Sequence, residues 1–167
     1  MKYLNYEKNS NYNLFFGDIM IFIQASIDDA EEISENNIAM AYESEKVVLS
    51  RPIALSAVQN LINDSSKGFY LLAKDNNKII GQLMITFEWS DWRNSTIWWI
   101  QSVYVSPDFR KQGVFHALYQ ELKRIAKENE ISILRLYVHN QNKNAILAYD
   151  SLNMEKKSYI IYEATID

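Results

Sequence analysis

Apolar and polar positions follow two different periods along this chain, and the switches between them divide it into ten elements. The run 19–23 (Ile-Met-Ile-Phe-Ile) is short, apolar and β-branched, which predicts a buried strand. Ser26, Asp28 and Asp29 then supply a cap and first-turn acids for a helix running to about residue 43. Pro52 suits the first turn of a second helix, which carries Leu55, Val58 and Ile62 on one face and ends near residue 63. Runs 69–74 and 78–87 read as strands joined by Asp75-Asn76-Asn77, residue types that tolerate tight turns. A polar and aromatic link at 88–95 leads into a third strand, 96–105, completing an antiparallel meander.

From 112 to about 129, Phe115, Leu118, Leu122 and Ile125 recur on one face of an amphipathic helix. A strand at 131–139 follows. Then comes a helix at 142–152 with Ala145, Ala148, Tyr149 and Leu152 on one stripe, and a last strand at 157–164. The order β-α-α-β-β-β-α-β-α-β predicts an α/β protein of α+β type, with a central mixed sheet and helices on both faces. Residues 1–17 have no period and many Asn, so they read as an N-terminal extension, and 18–167 read as one domain.

Composition narrows the chemistry. The 167 residues are 48% hydrophobic and 23% charged, values of a folded globular chain with one core. A net charge of -4 and a pI near 5.3 carry no basic footprint, so no nucleic-acid partner is expected. The absence of cysteine removes disulfides, thiolate metal sites and a cysteine nucleophile together. His116 and His139 lack metal-ligand spacing and read as a helix-surface residue and a strand end, so no metal is expected. No apolar stretch is long enough to span a bilayer, and the start lacks the pattern of a signal peptide. No membrane partner and a cytoplasmic location are the expectations.

The richest chemistry lies where the strand 96–105 runs through Ser106-Pro107-Asp108-Phe109 into Arg110-Lys111-Gln112-Gly113 and directly into a helix. Unpaired N–H groups of a first helical turn converge on one spot, the dipole favours an anion there, and Gly113 lets a ligand approach the backbone. Arg110 and Lys111 add charge suited to phosphate oxygens. By itself this loop specifies an anion and nothing narrower.

Two motifs in order narrow it. Val103-Tyr104-Val105-x-Pro-x-x-Arg-x-x-Gly resembles the central motif of the GNAT N-acetyltransferases: Arg or Gln, two residues, Gly, one residue, then Gly or Ala. The run from Asn142 through Ala145 to Tyr149, followed by Leu152-Asn153-Met154, is similar to the family's later motif, Asn-x-x-Ala-x-x-x-Tyr and then Leu-Gly-Phe. The element order also agrees with the GNAT fold over about residues 18–167. Phe115 departs from the family's Gly or Ala. Asn153-Met154 replaces Gly-Phe, and Asn is able to take the left-handed helix cap that Gly usually fills.

The resemblance implies acetyl-CoA as co-substrate, without a metal, and transfer of its acetyl group to a primary amine of a small-molecule acceptor. It also implies that strand 100–105 parts from strand 133–139 and receives the pantetheine arm on the backbone of Val103, Tyr104 and Val105. Arg110, Lys111, Gln112, Gly113, Val114 and Phe115 would surround the pyrophosphate, and Asn142 would bind or orient the cofactor. Tyr149 matches the general acid that protonates the departing thiolate, and the N–H of Val105 or a neighbour is the candidate oxyanion donor.

Glu88, at a strand end beside the acceptor cleft, is the candidate base, directly or through water. Gln101 lies in phase with Val103 and Val105, and as an amide it can orient a water or the substrate. Trp89 and Trp92 are candidate walls of the acceptor pocket, with Asn36, Met40 and Glu43 on the first helix lining the same cleft. Trp98 and Trp99 point to opposite faces of one strand. With no cysteine, and no serine in a triad-like setting, direct attack in a ternary complex is expected rather than an acyl-enzyme. A homodimer is a further expectation of the resemblance. Two other readings stay open: a CoA-binding sensor or partner-binding module without catalysis, and an unrelated phosphate binder.

Overall fold

The computed structural model describes residues 10–13 and 19–166. The chain divides into two compact units, Met1–Tyr137 and Val138–Asp167.

The first unit is built on a sheet in the order β1-β2-β3-β4-β5-β6. Its strands are β1 (Ser10–Asn13), β2 (Ile19–Gln24), β3 (Gly68–Asp75), β4 (Lys78–Ser90), β5 (Ser95–Val105) and β6 (Leu134–Arg135). Every neighbouring pair is antiparallel except β5 and β6, which run parallel. The sheet is therefore mixed, as the element order predicts. Residues 10–13, expected to belong to a loosely held N-terminal extension, pair with β2 from Ser10↔Phe22 to Asn13↔Ile19. The rest of that expected extension lies outside the described residues.

Helices cover both faces. Helices α1 (Ala30–Glu45) and α2 (Arg51–Ile62) share a core with Tyr70, Leu72 and Ile79, through Ala30, Ile33, Val58 and Leu61. On the opposite face lies α3 (Val114–Glu128), whose Val114, Leu118, Leu122 and Ile125 are buried. Gly81 makes its close approach possible: a Cβ there would stand 2.7 Å from Val114 Cγ1 and 3.0 Å from Leu118 Cδ1. Beside α3, Phe69 and Trp98 meet edge to face with centroids 5.3 Å apart, and Phe87 packs on both.

The start of α1 follows the expected chemistry with one added turn. Ser26 precedes a short 3₁₀ segment, Ile27–Asp29, and the Asp29 carboxylate accepts from the Ser26 N–H at 2.8 Å and its hydroxyl at 3.1 Å. Lys74 of β3 pairs with the same carboxylate. Burial alone would raise the Asp29 pKa, but hydrogen bonds from Lys74 and Ser26 and the Lys74 charge outweigh it, and the group is held below its usual 3.8.

The second unit contains α4 (Lys143–Ser151). Asn142 caps it, its Oδ1 accepting from the Ala145 N–H at 3.1 Å. Asn153 takes the left-handed conformation (φ +56°) at its other end. The segment 157–164 differs from the expected strand: it forms no ladder among the described residues, and Tyr159, Ile160, Ile161 and Tyr162 are exposed. Alternation and β-branching make a segment prone to extend, but a strand exists only where a register partner is met.

Candidate active site

Three features of β5 and the loop after it build the site. The first is the open edge beside β6. A strand over all of 131–139 was expected to flank β5, but the parallel ladder holds only two registers, Trp98↔Leu134 and Trp99↔Arg135, preceded by the Trp98 N–H donating to Ile133 O at 3.1 Å. Beyond them, β5 continues through residues 100–105 while its neighbour has left the ladder.

The second feature is a bulge. On β4, Gln82 faces Tyr104 and Met84 faces Gln101, so Leu83 alone opposes both Ser102 and Val103. Ser102 takes the extra residue at φ +49°, a left-handed conformation rare for any side chain but glycine, asparagine or aspartate. This reverses the expected phase: Gln101 shares a face with Tyr104, not with Val103 and Val105. Gln101 Nε2 donates to Thr86 Oγ1 at 2.6 Å and its Oε1 accepts from the Tyr137 hydroxyl at 3.3 Å.

The third feature is the loop into α3. Pro107–Phe109 forms a 3₁₀ turn, Lys111 sits at φ +61°, and Gly113 at φ +85° precedes the first residue of the helix. A Cβ on Gly113 would meet nothing within 4 Å, so space lies open over the backbone there. No side chain among the described residues caps α3. Left-handed residues at Lys111 and Gly113, on either side of Gln112 and ahead of a long helix, suit an anion-binding concavity, so the residues present fit a pyrophosphate.

Side chains around this frame depart from expectation in informative ways. Arg110 clips β5 to α1: its Nε donates to Val105 O at 2.8 Å, its Nη2 to Glu43 at 2.7 Å, and its guanidinium lies 5.4 Å from the Tyr104 ring centroid. These two bonds engage two of the five N–H groups of the guanidinium. Arg110 and Glu43 are both about two-fifths exposed, 41% and 43%, so the pair is worth at most about 1 kcal/mol and an incoming dianion can displace it. Tyr104 is nearly buried; desolvation, then the Glu43 charge, pushes its pKa up. Gln112 donates back to Asp108 O at 2.6 Å, and Phe115 packs on Tyr119.

Glu88 does not face an empty cleft. It accepts from the indole N–H of Trp99 and from Arg135 Nη1, at 3.2 and 3.3 Å from its two oxygens, and the Arg135 guanidinium lies over the Trp99 ring. Trp99 thus faces this polar group while Trp98 is core, the division the alternation predicts. Trp89 and Trp92, expected as pocket walls, are 63% and 87% exposed at the hairpin end. Met40 is half-buried on α1. Asn36 is drawn into a buried network, donating to Gln82 Oε1 at 2.9 Å. In the second unit Tyr149 is half-buried, and burial raises its pKa above the usual 10.0. No group of three metal-ligating side chains occurs among the described residues, and no helix there is long and apolar enough to cross a membrane.

A mixed sheet whose parallel ladder ends beside a bulge, followed by a left-handed turn into a helix, defines an acyltransferase type of fold. The sequence profile of the acetyltransferase (GNAT) family matches residues 33–154, and the chain belongs to that family, whose members use acetyl-CoA. A possible acetyltransferase from Clostridium difficile 630 is 38% identical in its solved structure, with a TM-score of 0.83 over 89% of this chain and 98% of that one. A predicted acetyltransferase from Clostridium acetobutylicum, solved with acetyl-CoA, shares the fold at 16% identity, with a TM-score of 0.71 over 87% of this chain and 96% of that one. Among curated proteins, thialysine N-epsilon-acetyltransferase of Bos taurus is 29% identical over 77 residues, 46% of this chain and 45% of the relative. The match spans less than half the length of such relatives.

Proposed function

We propose that the protein is an N-acetyltransferase that moves acetyl from acetyl-CoA to a primary amine by direct attack in a ternary complex. The observation that carries this reading is the parting of β5 from β6 after two registers, beside the Ser102 bulge and the open turn at Gly113. Acetyl-CoA, when bound, supplies an activated thioester. The free edge of Val103, Tyr104 and Val105 suits pairing with amide groups of an extended ligand, as in strand addition. Arg110, Lys111, Gln112, Gly113, Val114 and Phe115 surround the diphosphate in this reading, mainly through backbone N–H groups.

The bulge sharpens the oxyanion assignment from Val105 to its neighbours Ser102 and Val103, whose backbone is turned out of the regular ladder. Tyr149 is assigned the general acid role by its place in the Asn-x-x-Ala-x-x-x-Tyr motif. Burial keeps the hydroxyl protonated, the state in which it can donate. Asn142 carries over from the same motif, although its Oδ1 caps α4. Glu88 is the proposed acceptor of the ammonium proton. Arg135 and the Trp99 indole already occupy this carboxylate, which favours relay through water. Gln101 orients that water or the acceptor, with Asn36, Met40, Trp89 and Trp92 around it.

Calorimetry with acetyl-CoA, followed by a thiol-release screen over amino acids, polyamines, aminoglycosides and peptide N-termini, tests the proposal. Amino-acid side-chain amines head the panel, given the name of the Bos taurus relative. Absence of acetyl-CoA binding overturns the reading, and binding without turnover on any amine leaves a CoA-binding module. Gly113→Glu places bulk and negative charge in the cradle and weakens acetyl-CoA binding by about tenfold or more; unchanged affinity refutes the loop assignment. Tyr149→Phe lowers kcat roughly 100-fold with little change in acetyl-CoA affinity. Full turnover in that variant removes Tyr149 from the mechanism.

A further inference from the structure

The sheet face that α1 shares is closed at one end and open at the other. At the closed end Asn36 Nδ2 donates to Gln82 Oε1 at 2.9 Å, Gln82 Nε2 to Asn37 Oδ1 at 2.9 Å and Asn37 Nδ2 to the Tyr70 hydroxyl oxygen at 3.0 Å. Gln82 and Tyr70 are buried there. Toward the other end, Thr86 of β4 faces Trp99 of β5, which faces Arg135 of β6, and Glu88 and Gln101 flank them; all five are half-buried.

This open group is held together from within. Arg135 Nη1 meets the two oxygens of Glu88 at 3.2 and 3.3 Å, its guanidinium lies 5.2 Å from the Trp99 ring centroid, and the Trp99 indole donates to the same carboxylate. Glu88 is therefore committed to its own neighbours. Arg135 is not: a guanidinium carries five N–H donors, and Nη1 supplies two of them. Its Nε and Nη2 have no partner among the described residues, whereas every buried side-chain nitrogen there has one, so the Nε–Nη2 edge is open to solvent. That edge is the one that meets a carboxylate with two parallel bonds. Glu88 and the Trp99 ring already fix the guanidinium, so little rotamer freedom is lost when a ligand binds.

We propose that the open edge of Arg135 binds a carboxylate of the acceptor, which makes the acceptor an amino acid or similar zwitterion that presents an amine from the far end of its side chain. This rests on the function proposed above and adds a specificity-determining residue to it. Charge selects the class. A polyamine or aminoglycoside brings only cations to a group whose one carboxylate is already paired, and meets Arg135 as a like charge. Length selects the amine. Trp99, whose ring the guanidinium covers, lies three residues before the bulge at Ser102, about 10 Å along a strand. An amine adjacent to its own carboxylate is too short for that span, and a side-chain amine is long enough.

The test compares lysine with lysinamide, a pair that differs at the carboxylate, in the thiol-release assay. The parent is expected to prefer lysine by at least about tenfold in kcat/KM, and Arg135→Gln to bring the ratio to within about twofold of unity. Because the ratio is taken within each variant, a general effect of Arg135 on Glu88 cancels. Arg135→Lys keeps the charge without the fork and gives an intermediate ratio; it replaces the glutamine variant if a thermal melt shows that one unfolded. The KM for acetyl-CoA stays within about twofold of the parent throughout. A parent ratio near unity, a ratio that neither substitution changes, acetylation of lysine at its α-nitrogen, or a rise of roughly tenfold in the KM for acetyl-CoA overturns the proposal. If the parent acetylates other amines but not lysine, the proposal falls and the function reading stands. If it acetylates no amine, the function reading fails separately, and the carboxylate site is read by calorimetry. Lysine bound more tightly than lysinamide by the parent, but not by Arg135→Gln, then upholds it, and equal or absent binding overturns it.

Discussion

The two faces of one sheet make opposite use of burial. Toward α3 the strands present Phe69, Leu71, Leu83, Ile85, Phe87, Trp98 and Ile100, and these apolar side chains pack under α3 at the distance that Gly81 permits. Toward α1 the same strands present, beside the apolar Leu72, Ile79 and Met84, the residues Tyr70, Gln82, Thr86, Glu88, Trp99 and Gln101, each carrying a polar tip that meets a named partner. Apolar contact is tolerant of direction, so the α3 side supplies cohesion. Hydrogen bonds are directional and costly to leave unmade, so the α1 side supplies geometry. The bulge and the proposed acceptor groups lie on the directional side.

Three substitutions probe this contrast. Trp98→Ala, on the cohesive face, leaves a large void against Phe69 and Phe87 and costs about 4 kcal/mol. A thermal melt lowered by roughly 10 °C is expected, with turnover per folded molecule largely retained. If turnover collapses while stability holds, the division between faces is wrong.

Asp29→Asn, on the directional face, strands Lys74 and costs about 3 kcal/mol near neutral pH. Its pH dependence follows from the lowered pKa. The folded-state value lies below 3.8, so the contribution is present above that pH and is lost as pH falls through the depressed value. The stability gap between parent and variant therefore narrows on acidification below pH 4, as denaturant melts across pH 2–7 would register. A gap constant with pH would mean that Asp29 is not ionised when paired.

Trp92→Ala sets the lower bound. With its side chain 87% exposed, the loss of stability is within about 0.5 kcal/mol. Any larger effect on the acceptor KM, measured once an acceptor is known, would give Trp92 the pocket role its sequence position suggested.

Much of the fold was legible because periodicity reports burial of one face. Helices α1, α2, α3 and α4 stand within a few residues of their expected limits, as do the hairpin and the third strand of the meander. The turn from β5 into α3 was legible from Arg110-Lys111-Gln112-Gly113 at the start of an amphipathic helix, and its anion-binding role is proposed. What escaped was pairing. The strand pattern of 131–139 contains no sign that the ladder stops after Arg135, and that of 157–164 names no partner. The bulge escaped for a related reason: Gln101-Ser102-Val103-Tyr104 alternates without a break, and the extra residue exists only relative to Gln82 and Met84 on the facing strand. Glu43 is an ordinary helical acid until Arg110 reaches it. Tyr70, Asn37 and Gln82 are unremarkable within their own elements, and an isolated Gln in the apolar run Ile79-Ile80-Gly81-Gln82-Leu83-Met84 was the one trace of a buried polar chain.

The sequence by itself determined which segments form helices, which faces seek a core and, through two motifs, which family the chain joins. Those properties depend on neighbours within a few residues. Tertiary structure alone decided where β5 loses its partner, which residue carries the bulge, that Arg110 rests on Glu43, and that Glu88 meets Arg135 and Trp99. Each of these joins groups dozens of residues apart or sets one strand's count against another's, and no local pattern encodes either.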